Sequence, residues 1–366
     1  MKPLILAFLL PTTGLAADWP QFRGPNADGR WNPATLPADI ANREPIRLWT
    51  APIGGGYGGV TVTEHRVFIM ERQSEPTELE SVTCRDADSG ELIWRHDWPV
   101  EYGDLPYGNG PRASVLLDTA HRRAFAFGAT GVAVCLDLDS GEPLWQIDTV
   151  TEFGGPDPAG YSTPMLIQHK GHSQMIVWGP KHIQSLDPAK GHLLWKHPYP
   201  ITYGVSIAQP LFHDGMLLVS GYWHGTKCLR LGGDPKKASL LWENETDLCG
   251  LMSAPLFRDG TVFLLDKNQG LQAFDLGTGK VHWSDDNSLT QAGRNPQFSL
   301  VWMKESEGLA ALLNAEGELI YLKVDDESFA ELARHQILGK TWAHPAFVEN
   351  RIYARSDSSL VAWKLW

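Results

Sequence analysis

The feature that most constrains this chain is an eleven-residue phrase that ends in tryptophan and recurs along most of the sequence. Four copies are clear: CRDADSGELIW at 84–94, CLDLDSGEPLW at 135–145, SLDPAKGHLLW at 185–195 and AFDLGTGKVHW at 273–283. A looser copy ends at Trp242 and a bare RLW ends at Trp49, so successive tryptophans lie 45, 51, 50, 47 and 41 residues apart. A period of this length predicts one supersecondary unit that is copied around an array.

Each phrase predicts a strand, a tight turn and the start of the next strand. Its aspartate can accept hydrogen bonds from turn amides, and its glycine provides the positive φ that such turns require. The closing tryptophan can bury about 150–250 Å², which stabilises the fold at roughly 25 cal/mol per Å². Because the same chemistry recurs, we interpret the tryptophans as structural wedges that dock neighbouring units: Trp49, Trp94, Trp145, Trp195, Trp242 and Trp283.

The segments between phrases follow a common order. Each unit opens with a short segment such as IAQPLFH or MSAPLFR, and a polar hairpin turn and an apolar strand follow it. With the strands of the phrase, each unit becomes a four-stranded antiparallel sheet, which is the blade of a β-propeller. No window of a dozen residues has convincing helical periodicity, so the predicted class is all-β. Openers occur at seven places: Tyr57, Pro111, Tyr161, Ile207, Met252, Pro296 and Trp342.

The count favours seven blades, since an eighth would have to lie within the loop-like residues 18–45. The C-terminal AWKLW is predicted to be the third strand of the last blade. Its missing fourth strand is available at the other end of the domain, as IRLWTAP around Trp49. Pairing the two ends would close the ring and remove two exposed sheet edges. The sequence therefore predicts a seven-bladed propeller over 46–366, closed by its own N-terminal strand.

The phrase AFDLGTGKVHW at 273–283 resembles the tryptophan-docking motif A-x-D-x-x-T-G-K-x-x-W of quinoprotein alcohol dehydrogenases. Residues 46–366 as a whole resemble the pyrroloquinoline-quinone-like (PQQ-like) repeat superfamily. The resemblance implies the propeller fold, and some members, such as the outer-membrane assembly propellers of the BamB type, carry the motif without binding quinone. The stretch DWPQFRGPNADG, which starts at Asp18, resembles the beginning of secreted PQQ-like repeat proteins with no established activity.

The N-terminal residues 1–17 are typical of a secretory signal: Lys2 precedes the apolar run LILAFLL, and small residues follow up to Ala16 or Ala17. That run is too short to span a bilayer as a helix. No cysteine follows it, so we expect an exported, soluble protein, periplasmic or secreted, that is not a lipoprotein. The formal net charge of −12 without a basic run argues against nucleic acid as a partner. We expect a monomer with no membrane insertion.

The four cysteines do not predict a disulfide framework. Cys84, Cys135 and Cys228 hold equivalent third-strand positions in different blades. We place such positions about 10 Å apart in adjacent blades, beyond the Cα separation of ~7 Å that a bridge tolerates. The pair Cys228 and Cys249 stays open as an alternative, and buried free thiols are the expected state.

The loops that precede the openers should gather around one mouth of the central channel, where functional residues commonly lie. Aromatic rings with a few cations suit a peptide, a glycan or a small anion. The competing interpretation is that these side chains pack between blades or cap loops. The candidate ligand-binding residues are Tyr57, Tyr107, Arg112, Tyr161, Tyr203, Arg294, Trp342 and His344.

The leading functional hypothesis is an exported, non-catalytic propeller that binds a protein, peptide or glycan at this mouth. A PQQ-dependent oxidoreductase that uses Ca²⁺ is the first alternative. The chain lacks the adjacent cysteine pair, the eighth blade and the length of those enzymes. A polysaccharide hydrolase or lyase is the second alternative, although Asp104, Asp157 and Asp247 lie in three separate loops. We identify no catalytic residue, no metal ligand set and no required cofactor; DKNQG at 266–270 lacks the later glutamate of a calcium loop.

Overall fold

The computed structural model describes most of the chain from Asp18 onward. The described residues are 18–103, 108–148, 162–163, 165–178, 181–187, 193–200, 207–221, 223–250, 252–289, 292–293 and 296–366. Apart from short 3₁₀ turns at Ile40–Asn42 and Glu305–Glu307, the regular structure within these ranges consists of strands. The chain is therefore all-β, as predicted.

Strands β2 to β17 form the first four blades, with four strands in each. Blade 1 contains β2 (Thr61–Thr63), β3 (Arg66–Gln73), β4 (Leu79–Asp86) and β5 (Leu92–Pro99). Blade 2 contains β6 (Leu116–Asp118), β7 (Arg123–Phe127), β8 (Val132–Asp137) and β9 (Pro143–Asp148). Blade 3 contains β10 (Met165–His169), β11 (His172–Trp178), β12 (His182–Leu186) and β13 (Leu193–Pro198). Blade 4 contains β14 (Leu211–His213), β15 (Met216–Gly221), β16 (Gly225–Leu231) and β17 (Ala238–Asn244).

The remaining strands form three further blades. Blade 5 contains β18 (Leu256–Arg258), β19 (Thr261–Asp266), β20 (Gly270–Asp275) and β21 (Val281–Ser284). Blade 6 contains β22 (Phe298–Lys304), β23 (Leu309–Asn314), β24 (Glu318–Val324) and β25 (Phe329–Gln336). Blade 7 combines β26 (Ala346–Val348), β27 (Arg351–Arg355) and β28 (Ser359–Lys364) with β1 (Ile46–Pro52). The described strands thus form seven four-stranded antiparallel sheets, so seven blades are confirmed and the alternative of eight is not.

The ring closes through β1, as predicted from the sequence. This strand pairs antiparallel with β28, from Ile46 opposite Lys364 to Pro52 opposite Ser359. Blade 7 therefore has the order β1–β28–β27–β26, with the N-terminal strand at its outer edge. The pairing gives β28 a neighbour on each side and joins the two ends of the domain.

The middle strands of the blades are more buried than the outer strands. In β19 and β20, the middle strands of blade 5, all residues but one are buried. In β17, the outer strand of blade 4, every residue is at least partly exposed. The middle strands consequently carry Val, Leu and Phe in nearly continuous runs, because both of their faces pack against neighbouring blades.

Four docking tryptophans donate through Nε1 to a backbone carbonyl in the turn of the following blade: Trp49, Trp94, Trp242 and Trp283. Trp195 donates instead to Gln174 Oε1 of its own blade. Trp94 of blade 1 is 8% exposed, and its Nε1 donates to Leu138 O of blade 2 over 3.3 Å. Its ring also lies against Gly141, where a Cβ would be only 2.5 Å from Trp94 Cε3. This position requires glycine for two reasons. Its φ is +74°, and the ring of Trp94 leaves no space for a Cβ. Trp49 on Gly90 and Trp242 on Gly279 repeat the arrangement.

A one-residue bulge interrupts the outer strand of every blade just before the docking position. In blade 1, Cys84 lies opposite Trp94 and Arg85 opposite Leu92, so Ile93 is the extra residue. Its side chain is 49% exposed. The corresponding extra residues in the other blades follow the same register shift: Leu48, Leu144, Leu194, Leu241, His282 and Leu332. The bulges bend the outer strands.

Residues 18–31, which we call the N-terminal cap, cross one end of the central channel. Trp19 exchanges two backbone hydrogen bonds with Val62 of blade 1, and Pro20 O accepts one from Leu117 N of blade 2 over 2.8 Å. Trp19 itself is 2% exposed. The cap therefore packs into the propeller instead of lying outside it.

All four cysteines are buried free thiols. Cys84 and Cys228 pair with docking tryptophans from equivalent third-strand positions, as predicted. Burial raises the pKa of the Cys84 and Cys228 thiols to about 12, and that of the Cys249 thiol to about 11. Within the described residues, no helix is long and apolar enough to cross a membrane.

Candidate functional site: the channel and its mouth

The two ends of the channel differ in the connections that surround them. Each inter-blade loop leads into the first strand of the next blade, and all of these first strands run in the same direction along the channel. The inter-blade loops therefore gather at one end of the channel, which we call the mouth. The hairpins between first and second strands gather at the opposite end, the hairpin end. The cap lies at the hairpin end: Trp31 N donates to Trp302 O over 2.9 Å, and Trp31 Nε1 donates to Glu349 O over 3.0 Å.

An aromatic pair lies at the mouth between the first and last blades. The rings of Tyr57 and Trp342 stack with centroids 5.4 Å apart and planes 27° apart, and both side chains are partly exposed. The amides of Tyr57 and Gly58 both donate to Pro111 O, over 2.8 and 3.0 Å, which ties the loop before blade 1 to the loop before blade 2. Two of the candidate residues therefore form one aromatic surface on an anchored loop.

Arg112 lies in the loop before blade 2, near the buried and hydrogen-bonded pair of Tyr102 and Glu80. Its Cζ is 6.0 Å from the ring centroid of Tyr102, and Arg72 covers that ring at 4.1 Å. The Tyr102 hydroxyl donates to Glu80, which also accepts from Ala129 N over 2.9 Å. Burial raises the pKa of Glu80, whereas these hydrogen bonds and the charge of Arg112 lower it. Arg112 thus contributes a cation near the mouth.

His344 lies deeper than the aromatic pair. Its ring packs edge-on against Phe22 of the cap at 4.3 Å, and Gln297 Nε2 is 3.4 Å from its Nε2. Burial, together with the positive charge of Arg23, lowers the pKa of His344 to about 3. The imidazole is therefore neutral at physiological pH and faces the interior of the channel.

The other four candidate residues fall outside the described ranges: Tyr107, Tyr161, Tyr203 and Arg294. The structure instead shows residues that the sequence interpretation missed: Phe22 and Arg23 near His344, and Gln209, which is buried just before the inner strand of blade 4. The cap carries the first two within DWPQFRGP, a stretch singled out only for its resemblance to other proteins. Recognising it as part of the site would have required treating residues 18–45 as part of the propeller.

The described residues bear on metal binding at two points. Within them, no three His, Cys, Asp or Glu side chains come together as a metal site. Asp266 caps a hairpin turn, where its Oδ1 accepts from Asn268 N and Gln269 N over 2.7 and 3.0 Å.

The fold and its docking motif define the class of protein: a PQQ-like β-propeller. A family model described as "Outer membrane protein assembly factor BamB" matches residues 78–219 and 179–365, which is most of the chain. The chain therefore belongs to this family.

Two relatives with the same description share modest identity with the chain. The protein from Moranella endobia (strain PCIT) is 21% identical over 269 residues, covering 66% of this chain and 62% of its own length. The protein from Shewanella oneidensis (strain MR-1) is 27% identical over 268 residues, covering 67% of this chain and 63% of its own length. The match thus spans less than two thirds of either relative.

Solved structures support the fold at lower identity. BamB from Moraxella catarrhalis superposes with a TM-score of 0.53 and 16% identity, covering 85% of this chain and 84% of that one. Quinohemoprotein alcohol dehydrogenase from Comamonas testosteroni superposes with a TM-score of 0.60 and 12% identity, covering 95% and 80%. Both identities are low and only one of the two proteins is named as an enzyme, so these likenesses concern the fold alone.

Proposed function

We propose that this protein is an exported, non-catalytic scaffold whose channel mouth binds a segment of another protein. The observation that carries the proposal is the stacked pair of Tyr57 and Trp342, partly exposed on a loop anchored to the next blade. Large aromatic side chains on a rigid support lose little conformational entropy on binding and dominate many interfaces. Membership in a family described as an outer membrane protein assembly factor supports a protein partner over a glycan.

The test compares recovery of partners by the full-length exported protein and by a variant without the aromatic pair. The double variant Tyr57→Ala/Trp342→Ala should recover its partner at least about tenfold less efficiently, because interface aromatics often contribute about 2 kcal/mol each. The matched control is Leu92→Ala/Leu240→Ala, which removes two exposed apolar side chains from outer strands. Equal recovery by both variants would contradict the proposal, and recovery of a carbohydrate would replace the protein partner by a glycan.

The proposal requires no cofactor, and a titration checks this separately. Adding PQQ and Ca²⁺ to the purified protein should leave the absorbance spectrum of the quinone and the melting temperature unchanged. A saturable shift in either would favour the quinone-dependent oxidoreductase. Export itself is checked by sequencing the N-terminus of the mature protein, which we expect at Ala17 or Asp18.

A further inference from the structure

The N-terminal cap places a buried guanidinium inside the propeller. Arg23 is 3% exposed, and its Nη2 is so close to Gly29 that a Cβ there would be 2.7 Å away. The same Cβ would be 2.8 Å from Leu256, the first residue of the inner strand of blade 5. The charge of Arg23 also acts on His344, which precedes the inner strand of blade 7. A group that lies between blades 5 and 7 in this way must be in the channel.

Among the described residues, no carboxylate forms an ion pair with this guanidinium. Within the described residues, neither Nη1 nor Nη2 of Arg23 has a hydrogen-bond acceptor. The one carboxylate whose charge acts on Arg23, that of Asp28, is bound by Arg30 over 2.8 Å. Burial, together with the charge of Arg30, lowers the pKa of Arg23 to about 10 although Asp28 raises it, so the side chain is still a cation at neutral pH. Because a buried, unpaired charge is costly, the arrangement calls for an anion.

A second polar group lacks a partner in the same channel. Gln209 is 1% exposed, and its Oε1 has no hydrogen-bond donor among the described residues. It lies two residues before β14, and His344 lies two residues before β26. Because each blade repeats the same register around the axis, the two residues hold corresponding positions just before the inner strands of blades 4 and 7. The channel therefore offers an acceptor in addition to the cation.

From this geometry we propose that the capped channel is a binding site for a small carboxylate. Its two oxygens would accept from Nη1 and Nη2 of Arg23, the forked geometry that guanidinium and carboxylate groups share. A hydroxyl on the same ligand would donate to Gln209 Oε1. The ligand would enter at the mouth, since the cap crosses the hairpin end.

The experiment uses the full-length mature protein with sodium acetate and sodium lactate as probes. Calorimetry and melting temperature are measured at constant ionic strength, with sodium chloride and neutral acetamide as controls. We expect both carboxylates to bind saturably and to raise the melting temperature, lactate more strongly than acetate, while acetamide has no effect. Absence of a carboxylate-specific response in the wild type would overturn the proposal.

Two variants locate the response. Arg23→Gln should abolish carboxylate binding, whereas Arg43→Gln, which removes an exposed arginine paired with Asp39, should not change it. If Arg23→Gln does not fold, Arg23→Lys decides: losing one of two charged hydrogen bonds should weaken binding on the order of tenfold. An unchanged affinity in the Arg23 variants would place binding elsewhere and refute the site. The site is independent of the proposed partner surface, since Tyr57→Ala should keep the carboxylate response.

Discussion

Two blade interfaces show different ways of filling the same gap. Between blades 1 and 2, Trp94 is almost fully buried and contacts Gly141 and Leu138 of the next blade. Between blades 6 and 7, the docking position opposite Tyr321 is held by Ala333 instead of a tryptophan. The repeat has lost its tryptophan there, yet the sheets still close into a ring.

The missing wedge is replaced by a segment from the other end of the sequence. Ile40, in the 3₁₀ turn that precedes β1, is 4% exposed and packs against β25 in the same apolar cluster as Ala333. His335 of β25 also lies 3.3 Å from Glu44, counting Nδ1 to Oε2. The comparison teaches that a repeat position is free to change where a distant segment covers it, because burial matters more than the residue that supplies it.

The largest effect is expected from removing the wedge between blades 1 and 2. Trp94→Ala should lower the free energy of unfolding by about 3–5 kcal/mol, the usual range for a buried aromatic residue that is replaced by alanine. The measurement is urea unfolding followed by circular dichroism. Trp145→Ala is the matched control, since Trp145 ends the same phrase but is 41% exposed. It should cost less than half as much, and equal losses would contradict the wedge interpretation.

The replacement segment gives the next largest effect. Ile40→Ala should lower the free energy of unfolding by about 2–4 kcal/mol, because the cavity would open where no tryptophan covers blade 6. The control is Ile46→Ala in β1, where the side chain is 62% exposed. If Ile40→Ala were as mild as Ile46→Ala, the 3₁₀ turn at Ile40–Asn42 would not be acting as a substitute wedge.

Changing the surface on which the wedge sits should have a smaller effect. Gly141→Ala should cost about 2–3 kcal/mol, from an unfavourable φ and from the clash of its Cβ with Trp94. Gly260→Ala separates the two causes, because its φ is +87° and nothing lies within 4 Å of the added Cβ. That control should lose only about 1 kcal/mol by the same urea unfolding measurement.

The smallest effect concerns pH and the cap's contact with His344. Burial lowers the pKa of His344 to about 3 in the folded protein, against about 6.5 in the unfolded chain. The unfolded state therefore takes up the proton first, and this contribution to stability is complete above about pH 6.5 and declines at lower pH. The slope is about 1 kcal/mol per pH unit. His344→Gln should flatten the curve by that amount when urea midpoints are compared at pH 7 and pH 4.5; an identical slope would contradict the buried position.

The sequence predicted the parts of the fold that depend on local chemistry. Asp86 accepts from the amides of Asp88 and Ser89, as its place in the turn indicated. The pairing of β1 with β28 followed from counting strands. Gly90 also leaves room for Trp49. This second role could not be predicted from the sequence, because the two residues meet only after the blades pack together.

The candidate site was harder to predict for the same reason. Tyr57 and Trp342 lie in equivalent loops, and closure of the ring brings the first and last blades side by side, so their proximity could be inferred. The path of the cap could not, since residues 18–31 follow no repeat and their partners lie in several blades. No periodic pattern in the sequence therefore indicated that Phe22 and Arg23 lie in the channel, where they form part of the surroundings of His344.

The bulges in the outer strands have a consequence for aggregation at high protein concentration. Each bulge divides the outward row of amides and carbonyls into two short runs that are no longer collinear. A straight strand from a second molecule can match one run at a time, so sheet-to-sheet joining around the circumference gains too few hydrogen bonds to persist. The outer strands can thus carry exposed leucines without making each blade a nucleation site for fibrils.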